Sequence, residues 1–108
     1  MKTKSKPEES TLTMRGLPGT NGGGIQAVCI RSVAHASKML RMGKAVTTAG
    51  DGMALAIWKG DDGLWYCESM RSRKTLDMKE FVHLAAAIQW LKTWLPRVKS
   101  EVEGGHLA

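Results

Sequence analysis

The sequence predicts an α+β domain in which two helices pack on one face of a three-stranded antiparallel sheet, in the order α-β-β-β-α. Three observations lead there. Apolar residues recur at helical spacing over residues 25–42, a β-prone stretch broken by glycine turns follows over 44–70, and a second helical stripe runs from Phe81 to Leu95. At 108 residues the chain suits one such domain, and 43% hydrophobic against 24% charged residues is ordinary globular usage.

The first helix rests on Ile25, Cys29, Val33, Ala36 and Leu40, which share one stripe of a 3.6-residue helix. Arg31, His35, Lys38 and Arg41 fall on the opposite side, and Gly43 is placed to end the helix with a left-handed residue. Arg41 and Lys44 near its end suit the helix dipole. Residues 26–30 are apolar enough to read alternatively as a strand, with Ser32 capping a shorter helix; the unbroken stripe favours a single helix.

Three strands follow. Residues 45–48 are short and β-prone, and Gly50, Asp51 and Gly52 signal a turn. Residues 53–59 and 64–70 flank Gly60-Asp61-Asp62-Gly63, a hairpin connection whose glycines can take positive φ. A four-residue loop sets Trp58 opposite Trp65 and Ile57 opposite Tyr66; a three-residue loop with a bulge at Gly63 shifts that register by one.

The last helix opens on Asp77 and Glu80, which have the spacing of a capping box, with Leu76 placed to staple against Phe81. Phe81, Leu84, Ile88, Leu91 and Leu95 then repeat at intervals of three and four. Pro96 should stop or kink the helix, Val98 and Val102 extend its stripe, and Gly104 and Gly105 end it. Residues 1–24, rich in charge, Ser/Thr and glycine, read as a flexible basic arm. The domain then spans 25–103, with 104–108 a loose tail.

Residues 1–24 hold no apolar stretch of signal-peptide length, and the longest apolar run, 84–88, is too short to cross a bilayer. The expectation is a cytoplasmic protein without a membrane partner. Cys29 and Cys67, with no CxxC pairing, then read as free thiols. His35, His83 and His106 have no metal-ligand spacing, and no nucleophile, base and orienter stand out together. No cofactor and no enzymatic activity are expected.

Charge is the functional signal. The formal net charge is +6, which favours acidic partners. Residues 25–50 carry +4 and residues 51–70 carry −3, so the excess lies on the first helix, on loop 71–74 and on the arm. Arg31, Lys38, Arg41 and Lys44 with Arg71, Arg73 and Lys74 are the candidate phosphate-gripping residues of a small accessory or regulatory module that binds DNA or RNA. The arm lysines Lys2, Lys4 and Lys6 would extend its electrostatic reach. Trp58, Trp65 and Tyr66 would offer a stacking platform if exposed, and fill a core if not. The alternative is a protein–protein adaptor or inhibitor, binding a partner or a second copy as a homodimer, that uses Trp90 and Trp94 on the last helix or an exposed strand edge at 45–48.

Overall fold

The computed structural model describes residues 10–50 and 52–107, with the side chains of the last helix described as far as Val98. The elements are β1 (Thr11–Met14), β2 (Ile25–Cys29), α1 (Val33–Arg41), β3 (Ala45–Ala49), β4 (Met53–Lys59), β5 (Trp65–Arg71), β6 (Lys74–Phe81) and α2 (Leu84–Leu107). The strands form one six-stranded sheet whose spatial order equals the sequence order. Strands β2 and β3 are parallel and joined through α1; every other neighbouring pair is antiparallel.

The expected three-stranded antiparallel sheet is therefore corrected to a six-stranded mixed one, while the α+β class and two helices remain. Three segments supply the extra strands. Residues 25–29, expected at the start of a helix, pair on both sides as β2. Ala27 packs on one face of the sheet and Val28 on the other, so the strand is apolar on both and lacks the alternation that marks a half-buried one. The helix starts only after Ser32, whose Oγ accepts a hydrogen bond from His35 N at 3.1 Å.

Residues 11–14 form β1, with Leu12 opposite Ala27 and Met14 opposite Ile25. Residues 74–81 form β6 instead of leading into a helix, so Asp77 and Glu80 sit on a strand and not in a capping box. Ser72 and Arg73 both take positive φ, 52° and 69°, and fold the chain straight back in a two-residue turn. Such turns usually announce themselves with Asn-Gly or Asp-Gly. Here Ser-Arg gives no such signal.

The β4–β5 connection takes the three-residue alternative: Gly63 has φ 87°, and Trp58 faces Tyr66 while Lys59 faces Trp65. Helix α2 begins at Leu84 and includes Pro96, which sits on its exposed side.

Both helices cover one face of the sheet, called here the helix face. Val28, Ile30, Val46, Leu55, Ile57 and Cys67 of the strands pack there against Met39 and Leu40 of α1 and Trp90, Leu91, Leu95 and Val98 of α2. Each such side chain contributes roughly 1.5–3 kcal/mol when fully buried. On the other face a smaller cluster gathers Ala27, Ala45, Trp58 and Tyr66 under Met14, Leu17 and Leu64. Loop 15–24 is fastened over it: Trp58 Nε1 donates to Pro18 O at 2.8 Å, and Asp61 N donates to Gly19 O at 2.6 Å. Residues 10–24, read from sequence as part of a flexible arm, are thus built into the sheet and its cover; Lys2, Lys4 and Lys6 lie outside the described residues.

Candidate nucleic-acid interface

Past the edge of loop 15–24 no described residue covers the open face of the sheet. Small side chains floor it: Thr47 and Ala49 on β3, Ala54 and Ala56 on β4. The Thr47 hydroxyl donates to Leu55 O at 2.8 Å, so it is satisfied within the sheet. The result is a trough made of three adjoining hollows of about 310–320 Å³ each. They share Leu12 and Thr47, Ala54 and Met70, and Ala49, which makes the depression continuous. Leu12, Met14 and Leu17 wall one side, and Met70 walls the other.

Three arginines from three separate segments line this trough. Arg15 follows β1, Arg31 follows β2, and Arg73 occupies the β5–β6 turn. All three are exposed. Glu68 is the one carboxylate among the described lining residues, and it accepts a hydrogen bond from Thr75 Oγ1 at 2.6 Å. Asp51, in the turn between β3 and β4, lies outside the described residues.

The strand registers decide which of the sequence-proposed cations meet. The C-terminal ends of β2, β3 and β5 and the N-terminal ends of β4 and β6 lie at one end of the sheet. Arg31, Arg71, Arg73 and Lys74 therefore share that end. Lys38 and Arg41 are exposed on α1, across the sheet on the helix face, and Lys44 leads into β3 at the opposite end. The seven residues form two groups, not one patch. Arg15, counted only as part of the arm, follows the C-terminal end of β1 at the opposite end of the sheet and lines the trough from there, beside Met14 and Leu17. Its signal in the sequence was the alternating Thr-Leu-Thr-Met just before it, which has the period of a strand.

The tryptophans are mostly internal. Trp58 and Tyr66 are buried and stacked, with ring centroids 5.8 Å apart and planes 6° from parallel, so neither offers a free ring to a base. Trp65 packs on the helix face, with Lys59 Nζ 5.5 Å from its ring. Trp90 is buried and its Nε1 donates to Asp77 Oδ2 at 2.9 Å; half-buried Trp94 packs against the core with Arg97 over its ring. Strand β3 lies between β2 and β4 and has no open edge at 45–48.

Neither cysteine is in a disulfide. Burial pushes the Cys67 thiol up to about 12, with the charge on Asp77 adding to it, so it is a packing group and not a nucleophile. Among the described residues no three His, Cys, Asp or Glu side chains gather to hold a metal ion, and no described helix is long and apolar enough to cross a membrane. The sequence matches no protein-family model and no curated protein, and its fold matches no solved structure.

Proposed function

We propose that the protein is a small binding module that holds single-stranded nucleic acid along the open face of its sheet. The observation that carries this reading is the arrival of Arg15, Arg31 and Arg73, from three distant segments, around one apolar trough. Guanidinium groups suit phosphate because they donate in bidentate pairs and stay charged at any working pH. The floor and walls suit the other half of the ligand. Bases of a single strand lay their apolar faces on Leu12, Met14 and Met70, whereas a duplex keeps its bases stacked inside and leaves such a floor unused. Trp58 and Tyr66 take no part in this contact, since loop 15–24 covers them.

Fluorescence anisotropy with labelled single-stranded DNA, single-stranded RNA and duplex DNA tests the proposal. Binding of a single strand is expected, with affinity falling as salt rises. Three phosphate contacts give a log–log slope of roughly −2. Arg31→Ala combined with Arg73→Ala should weaken binding and flatten that slope, whereas Arg41→Ala on the helix face should leave both almost unchanged. No binding to any of the three at low salt, or binding indifferent to the double substitution, rejects the proposal.

A further inference from the structure

Strand β6 (Lys74–Phe81) is the last strand of the sheet, so among the described residues one side of its eight-residue ladder has no partner strand. An edge of that length presents a row of backbone donors and acceptors, and natural sheets blunt such edges or pair them. Two of the four large apolar side chains that stand exposed among the described residues, Leu76 (48%) and Val82 (69%), flank this edge. Neither belongs to the trough.

We infer that β6 pairs with β6 of a second copy of the chain, antiparallel and centred on Met78. The charges on the strand select that register. With Met78 opposite itself, Asp77 of each copy faces Lys79 of the other, so two opposite-charge pairs form across the two-fold axis. Centring on Asp77 or on Lys79 instead sets like charges face to face, which is destabilising. Registers shifted by a single residue are excluded on separate grounds, because they oppose side chains from different faces of the sheet. Within one chain Lys79 Nζ lies 3.8 Å from Asp77 Oδ1, and Asp77 Oδ2 accepts the Trp90 bond, so both charged side chains stand on the helix face of the strand.

The bulge of β6 falls at Leu76, between Thr75 opposite Met70 and Asp77 opposite Ser69, and leaves the three central pairs on regular strand. At each end of that regular segment, Leu76 of one copy lies beside Glu80 of the other. The two-fold axis stands perpendicular to the sheet, so both helix layers lie on one side and both open faces on the other. This pairing stands whether or not the open face binds nucleic acid.

Sedimentation equilibrium over a wide concentration range reads the assembly directly, since the chain mass is 11.8 kDa and the pair has twice that. A concentration-dependent dimer is expected. Lys79→Asp, at an exposed side chain, should raise its dissociation constant about tenfold by turning both cross-strand pairs repulsive. Mixing Lys79→Asp with Asp77→Lys restores opposite charges in both pairs and should restore association. In a Cys29→Ser background, Met78→Cys should give a covalent dimer on mild oxidation, because directly opposed strand residues stand at disulfide distance, while Thr75→Cys should not. A monomer at every concentration, a dimer indifferent to Lys79→Asp, or equal cross-linking from both thiol positions overturns the inference. The cross-linking comparison decides the matter even if Asp77→Lys, which also loses the Trp90 bond, does not fold.

Discussion

Tyr66 Oη donates to Asp62 Oδ2 over 2.6 Å, which ties a strand of the sheet to the turn that carries the anchor of loop 15–24. Asp62 also accepts Leu64 N at 3.0 Å, while its neighbour Asp61 donates its backbone N–H to Gly19 O. One phenol and one carboxylate thus hold the hairpin turn in the shape that receives the loop, and the loop in turn covers the stacked Trp58–Tyr66 pair.

That bond sets a pH dependence at both extremes. The hydrogen bond to Asp62, with burial adding to it, raises Tyr66 from 10.0 to about 12, so its stabilisation is complete below pH 10 and is lost as pH rises toward 12. The same bond, helped by Leu64 N–H, lowers Asp62 below 3.8, so its stabilisation is present above that value and is lost as pH falls through the lowered one. Tyr66→Phe should lower the urea midpoint at neutral pH and reduce the fall-off on the acid and alkaline sides. Urea denaturation from pH 2 to 11, with roughly one-unit steps, checks both limbs.

Gly19 combines two demands: its φ is 78°, and a Cβ there would run into the Tyr66 ring. Gly43 also has positive φ, 82°, but faces open space. Gly43→Ala is expected to cost about 1 kcal/mol through backbone strain alone, and Gly19→Ala more, about 2–3 kcal/mol, because loop 15–24 must lift from the ring. Thermal denaturation of the two variants side by side measures the difference.

Trp90 and Trp94 lie one helical turn apart and differ in burial, so they should differ in energetic weight. Trp90→Phe keeps most of the volume but leaves Asp77 without its indole donor, for a loss of about 1–3 kcal/mol, and Trp90→Ala adds a cavity for a total of about 3–5 kcal/mol. Trp94→Ala, at a half-buried site, should cost less than Trp90→Ala. Chemical denaturation monitored by far-UV circular dichroism ranks the three.

Ser69 is fully buried on the helix face, and its Oγ has no hydrogen-bond partner among the described residues. A buried hydroxyl without a partner opposes folding, so Ser69→Ala is expected to be neutral or stabilising by up to about 1 kcal/mol, whereas Ser69→Asn should destabilise by overfilling the site. Equilibrium unfolding separates the two directions.

Much of the secondary structure could be read locally. Val33–Arg41 with Gly43 beyond it, the glycine-bounded hairpin of Met53–Lys59 and Trp65–Arg71, and the apolar stripe from Leu84 to Leu95 all carry their own period and punctuation. The sheet could not be counted that way. A strand buried on both faces, like Ile25–Cys29, has no alternation to distinguish it from a helix stripe. The Ser72–Arg73 turn uses positive φ without glycine or asparagine, so nothing in its residue types announces the return of β6.

The candidate site divides in the same way. Composition alone established a surplus of cations and the segments that hold them. Only the pairing of β2 with β3, and of β4 with β5, decided that Arg31 and Arg73 reach one end of the sheet while Arg41 does not. The physical reason is that helical and strand periods are local properties of a few neighbouring residues. Which ends and faces of distant strands coincide is settled by cross-strand hydrogen bonds and by the burial of Trp58 and Tyr66 beneath loop 15–24, contacts between residues some 40 positions apart.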